Sequence, residues 1–163
     1  MKALFYDPYL DTLGGGERYV LTAALALVKL DWKVSLFWTD LKILEKLGAQ
    51  FGFDLSSIEI TPGVKRGRGY DLVFWLSDGS IPYLVGKKNI VHFQSPFQGV
   101  GGRSFGNKVK FLKIDKVVVN SKFTKKFIDR EYAINAHLLY PPVSLGKFKP
   151  NRKEKLILYV GRF

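Results

Sequence analysis

At 163 residues, 47% apolar and 15% aromatic, the chain has the length and core-forming content of one globular domain, and its aromatic content excludes a disordered polymer. It has no cysteine and two histidines, His92 and His137, which excludes disulfides, zinc–thiolate sites and a histidine-rich metal centre and fits a reducing cytosol. A formal charge of +12 points to anionic partners, among which nucleic acid, lipid headgroups and phosphorylated substrates are not separated by charge alone.

Residues 3–6 are a short apolar run of strand type that follows the first two residues directly, so no secretory leader is expected. Gly14-Gly15-Gly16 follows, and Tyr19-Val20-Leu21, Ala24-Leu25 and Leu27-Val28 then recur at helical spacing, which predicts a helix over 17–30. A glycine-rich strand-to-helix turn removes side chains where unpaired backbone N–H groups and the positive helix end point outward, so it suits the close approach of a phosphate. Glu17 adds a carboxylate to the first turn. The other reading of the same glycines is a tight turn with close helix–sheet packing. Neither a G-x-G-x-x-G dinucleotide fingerprint nor a G-x-x-x-x-G-K-[ST] phosphate loop is present, so no nicotinamide or flavin cofactor is expected.

Further along, strands are predicted at 33–38, 58–60, 71–76, 89–93, 116–119 and 137–140, with helices at 41–47, 106–112 and 122–132. Asp40 is the expected N-cap and Gly48 the expected stop of the 41–47 helix, and Ser121 the N-cap of the last one. The connections 62–69 and 98–102 are glycine-rich, the first also basic, and both are expected to be flexible loops. Strands alternating with helices, the strands mostly continuous apolar runs, give an α/β fold: a Rossmann-like, doubly wound, mainly parallel sheet with helices on both faces. Ligands of such sheets bind beyond the carboxyl ends of the strands, where the Gly14 turn and the segment His92-Phe93-Gln94-Ser95-Pro96 both belong. The longest apolar run, 19–30, contains Thr22 and Lys29 and is too short to span a membrane.

Charge is uneven. Nine lysines and arginines between Arg103 and Arg130 face two acids, Asp115 and Asp129, and smaller clusters lie at 65–68 and 147–155. The region of Lys108, Lys110, Lys122, Lys125 and Lys126 is either an anion- or membrane-facing surface or an ordinary solvated face. A basic nucleic-acid-binding α/β module is the alternative class, supported by Phe105 and Phe111 among lysines, but no RNP, KH or zinc-finger pattern accompanies it. Residues 156–160 form an apolar strand that needs a sheet partner, either as the start of a second domain or by pairing back onto the first sheet.

Three segments together, Gly14-Gly15-Gly16-Glu17-Arg18, Val91-His92-Phe93-Gln94-Ser95-Pro96 and Val118-Val119-Asn120-Ser121-Lys122-Phe123-Thr124, resemble the N-terminal half of GT-B glycosyltransferases of family four. Leu139-Tyr140-Pro141-Pro142-Val143 and Leu158-Tyr159-Val160-Gly161-Arg162-Phe163 extend the resemblance in the same order, and the first and fourth segments look closest to mannosyltransferases acting on lipid-linked oligosaccharides. The resemblance implies an N-terminal acceptor-side domain over 1–146, a basic linker over 147–155 and the first strand of a donor-binding domain over 156–163. It also implies retaining transfer from a nucleotide-sugar to a sugar or lipid-linked acceptor, with no metal or other cofactor and no nucleic-acid partner. His92 is implied as the catalytic residue facing the reacting sugar, and Gly14, Gly15, Gly16, Glu17 and Ser95 as substrate-binding. The implied location is the cytoplasm, peripheral to the inner membrane face. The paired glutamates and diphosphate clamp of such enzymes belong to the donor half, so residues 1–163 are expected to transfer little sugar and to bind nucleotide-sugar weakly.

Overall fold

A computed structural model describes residues 1–63, 66–143 and 152–159. Seven strands form one all-parallel sheet: β1 (Lys2–Tyr6), β2 (Lys33–Phe37), β3 (Ile58–Thr61), β4 (Leu72–Leu76), β5 (Lys88–Phe93), β6 (Lys116–Val119) and β7 (His137–Leu138), in the spatial order β3-β2-β1-β4-β5-β6-β7. The helices are α1 (Gly15–Val28), α2 (Ile43–Phe51), α3 (Phe105–Phe111) and α4 (Lys122–Tyr132), with a short 3-10 turn at Leu10–Thr12. The Rossmann-like α/β class read from the sequence is the fold observed, parallel throughout.

Two hydrophobic layers flank the sheet because alternate strand residues point to opposite faces. On one face Ala3, Phe5, Val34, Leu36 and Phe74 pack beneath Tyr19, Val20, Leu21 and Ala24 of α1 and Ile43 and Leu47 of α2. On the other, Val91, Phe93, Val117 and Val119 pack beneath Ile128 and Tyr132 of α4. That second face has no helix over β1 and β4 among the described residues. Ile81 and Leu84, from the irregular connection between β4 and β5, cover Leu4 and Val73 instead.

Local signals fix most boundaries. Ser121 caps α4 as expected, its hydroxyl accepting from the Thr124 N–H at 3.0 Å, and α4 ends at Ala133 in the left-handed region. The second helix is displaced from its expected span of 41–47. The Asp40 carboxylate closes a turn on the Lys42 N–H at 2.9 Å, and Lys42 becomes the N-cap. Gly48 lies inside α2, and Gly52, at φ 68, ends it by donating its N–H to the Gly48 carbonyl at 2.8 Å. Two glycines four residues apart competed as the stop, and the one free to turn left-handed won. The strand expected at 137–140 keeps only its first two residues in the sheet.

The connection 62–69, expected to be a flexible loop, is tied down over its described part. Arg66 O accepts from the Val85 N–H at 3.1 Å, and Gly67 is buried at φ 89. A methyl group at Gly67 would sit 2.2 Å from Val73 Cγ2, so glycine is required there on both steric and conformational grounds. The described residues 152–159 join neither sheet nor helix, and Leu156, Ile157, Leu158 and Tyr159 are exposed, so this stretch does not pair back onto the sheet. Residues 147–151 of the expected linker and 160–163 of the expected strand lie outside the described residues, as does Lys65 of the basic cluster. No helix among the described residues is long and apolar enough to cross a membrane.

Candidate functional site

The carboxyl ends of β1, β4 and β5 and the start of α1 enclose a crevice of about 270 Å³, lined by Tyr9, Thr12, Gly14, Gly15, Gly16, Glu17, Leu76, Ser77, Gln94 and Ser95. It brings together the glycine turn and the segment after β5, 78 residues apart, through a hydrogen bond from Gln94 Nε2 to the Gly16 carbonyl at 3.3 Å. Asn120, leaving β6, donates to the Gln94 carbonyl at 2.9 Å and so fixes the crevice wall from the adjacent strand.

The three glycines are not equivalent. The Gly14 N–H donates to the Glu17 carboxylate, which folds back over the helix start as a capping group and is 3% exposed. Gly14 is therefore not an open anion donor, and Glu17, expected to bind substrate, spends its carboxylate within the chain. The N–H groups of Gly15 and Gly16 open α1 and have no i−4 acceptor, nor is another supplied among the described residues. Together with the helix end they form the electropositive part of the crevice. A methyl group on Gly15 meets nothing within 4 Å, whereas one on Gly16 would lie 2.7 Å from Gln94 Oε1. Gly15→Ala is therefore expected to gain up to about 1 kcal/mol of stability from helix propensity, whereas Gly16→Ala pushes the end of the Gln94 side chain aside and is expected to lose about 1 kcal/mol with its bond to the Gly16 carbonyl, both measured by urea unfolding.

Asp7, which the sequence reading did not single out, lies at the end of β1 with no exposed surface. Its Oδ1 accepts from the Tyr9 N–H at 2.9 Å, and its Oδ2 is buried without a partner. Burial, reinforced by the negative charges of Glu17 and Asp11 against the opposing Tyr9 bond, pushes this carboxyl up to about 7. The signal available in the sequence was its place, an acid directly after an apolar strand and just before a glycine turn.

His92 is also fully buried, within β5 rather than on the crevice wall. Its ring packs edge-on against Tyr19 of α1, with centroids 4.2 Å apart, and against Phe74 of β4 at 5.5 Å. Neither ring nitrogen has a hydrogen-bond partner, and burial pulls its pKa down to about 3, so the imidazole is neutral. The expected exposure of His92 to a reacting group is absent here, because Tyr19 closes over it and anchors α1 by donating its hydroxyl to the Leu139 carbonyl at 3.0 Å.

Ser95 lines the crevice and is exposed. Past it, the 98–102 loop, expected to be flexible, is strapped to α4. Glu131 accepts from the N–H groups of Gly99, Val100 and Gly102 at 3.0–3.1 Å, and these bonds hold its carboxyl below the usual range. Glu131→Ala is expected to accelerate amide exchange at 99, 100 and 102 while leaving exchange in β1 and β5 unchanged, a pattern that hydrogen-exchange mass spectrometry resolves.

The basic region divides. Lys108, Lys122 and Lys126 are exposed and Lys110 half-buried. Lys125 is not available as a surface cation: its ammonium is held by Asp129 at 2.7 Å, Asn135 at 2.7 Å and the Ala136 carbonyl at 2.5 Å. Spacing along a helix explains this, since Lys125 and Asp129 are an i, i+4 pair. Phe105, Val109 and Leu112 recur at helical spacing along α3 and remain 82%, 43% and 83% exposed. Phe111, by contrast, turns inward against Tyr132 at 5.8 Å.

Among the described residues no cluster of three or more histidines and acids is placed to hold a metal. The chain matches no protein-family model, no curated protein and no solved structure.

Proposed function

We propose that the chain is the acceptor-side half of a retaining nucleotide-sugar glycosyltransferase, and that its crevice receives a sugar or lipid-linked acceptor beside the donor diphosphate. The observation that carries this reading is the pair of outward N–H groups at Gly15 and Gly16, set at the carboxyl edge of a parallel sheet between Ser95 and the helix start. Amides so placed stabilise a negative oxygen without reorganising as charge develops on a leaving phosphate. The resemblance in the five segments supplies the reaction class. On this reading His92 reaches the sugar only if α1 moves off its ring, and the groups that clamp the diphosphate are not among these residues.

Titration of the isotope-labelled chain with pyrophosphate and then with nucleoside-diphosphate sugars tests the reading. Millimolar affinity is expected, with amide shifts centred on Gly15 and Gly16. Micromolar binding of a nucleotide-sugar, or shifts that bypass these glycines, overturns it.

The same reading places the protein at an anionic membrane face. Phe105, Val109 and Leu112 form an exposed apolar stripe on α3 and its C-cap, Lys108 lies exposed on the same helix, and Lys122 and Lys126 lie exposed on α4. Each basic side chain near such a surface contributes about 1 kcal/mol, and inserted apolar groups add to it. Co-sedimentation with vesicles rich in anionic lipid is expected to exceed that with neutral vesicles at least tenfold. The paired change Phe105→Ser and Leu112→Ser is expected to abolish it, and equal binding to both vesicle types removes the membrane role.

A further inference from the structure

We propose that a second cavity, on the sheet face opposite α1, binds an anionic amphiphile: one short apolar chain or ring bearing a phosphate. The cavity measures about 240 Å³ and is lined by Leu4, Tyr6, Phe37, Arg66 and Trp75. It exists because the connection from β3 to β4 contributes no helix among the described residues, so this part of the sheet lacks the cover that α1 and α2 give the other face. The inference goes beyond sugar transfer and does not depend on it.

The lining has a definite order. Tyr6 is the registered neighbour of Phe37 on one side and of Trp75 on the other, so three aromatic rings stand in a row across β2, β1 and β4. Tyr6 and Trp75 stack with centroids 3.5 Å apart and planes at 15°, and Phe37 lies 5.5 Å from Tyr6 at a tilt of 42°. Stacking fixes these rings as a rigid wall, and Leu4, 1% exposed, forms an apolar floor. A preformed apolar pocket with one charged group at its mouth is the usual form of a small-ligand site. Its volume, below the roughly 300 Å³ at which such sites begin, admits a single ring or short chain and excludes a whole nucleotide.

Charge sets the orientation. Arg66 is exposed, lines the cavity and is followed by Arg68. Its backbone sits at φ 52, a left-handed conformation that costs a residue with a side chain about 1 kcal/mol or more, and it is held there by the bond from Val85 to its carbonyl. Burial first, and then the negative charges of Asp78 and Asp7, raise the pKa of the Tyr6 hydroxyl. A ligand carboxylate or phosphate is repelled from the Tyr6 hydroxyl end and attracted to the guanidinium, which matches a phosphate with two parallel N–H groups.

Octyl phosphate below its micelle concentration, octanol and inorganic phosphate are the probes, followed by calorimetry and by amide and indole shifts. Octyl phosphate is expected to bind saturably and shift Tyr6, Phe37 and the Trp75 indole, with octanol and inorganic phosphate each at least tenfold weaker. Arg66→Gln, an exposed change that leaves the core intact, is expected to lower octyl phosphate affinity at least tenfold and leave octanol unaffected. Phe37→Trp, which fills the cavity, is expected to weaken both. Octyl phosphate shifts confined to Gly15 and Gly16, or to Phe105 and Leu112 as for a membrane-like contact, overturn the proposal. So does affinity undiminished in Arg66→Gln. Pyrophosphate shifts at Gly15 and Gly16 are expected to persist in Arg66→Gln, which separates this site from the crevice.

Discussion

Asp7→Asn is expected to stabilise the protein at pH 8 by up to about 4 kcal/mol and to leave it nearly unchanged at pH 4. The carboxyl is pushed up to about 7 in the folded chain, above an ordinary value of 3.8. A group whose folded pKa is raised holds its proton more tightly when folded, so the folded state binds more protons than the unfolded state between the two values. The contribution of Asp7 to stability therefore falls as pH rises from about 4 through about 7, and above that range the full penalty of a buried carboxylate applies. Asparagine keeps the acceptor for the Tyr9 N–H and removes the charge. Thermal unfolding followed at pH 4, 6 and 8 measures the effect. An equal change at all three values shows that the buried carboxyl does not titrate in this window.

The same ionisation bears on the crevice. Asp7, directly after β1, lies within electrostatic reach of Glu17 in the first turn of α1, and its own carboxyl is pushed up to about 7. Sulfate, which keeps its charge throughout, is expected to bind the Gly15 and Gly16 amides less well as pH rises through about 7. In Asp7→Asn that dependence is expected to vanish, with amide shifts as the readout.

Why some of this was legible before any coordinates, and some was not, follows from where each signal resides. Strand positions were written in apolar runs such as Val117-Val118-Val119, because burial on both faces leaves no polar position to blur them. The cap at Ser121 was written in one residue. The crevice was half legible: glycines announce a close approach, and Gly16 does meet Gln94. What they do not announce is the partner of each amide, and Glu17 closing on Gly14 is a choice among several acceptors within reach. Asp7 was missed because its abnormality is made entirely by what covers it. Lys125 was misjudged because a charge count ignores the asparagine and carbonyl that the turn after α4 brings to it. The cavity at Arg66 was illegible for the same reason. Register alone puts Tyr6 between Phe37 and Trp75, residues 31 and 69 positions away.

His92 poses the sharpest conflict between stability and use. A buried imidazole with no partner on either nitrogen lowers stability, since each unpaired polar atom costs about 1–3 kcal/mol. Its folded pKa of about 3 lies below the ordinary 6.5, so the unfolded chain binds the extra proton, and stability is lost as pH falls from about 6.5 toward 3. His92→Leu removes both penalties at little change in volume. It is expected to match or exceed the parent at pH 7 and to exceed it by about 3 kcal/mol near pH 4.5. Between about 4 and 6.5 the Asp7 and His92 slopes oppose each other, so the parent is expected to show a nearly flat stability curve. Asp7→Asn then uncovers a curve that rises with pH, and His92→Leu one that falls. If the imidazole serves sugar transfer, His92→Leu abolishes turnover in an active enzyme that contains this domain while its melting temperature rises. Turnover retained in that more stable variant assigns the ring to packing alone.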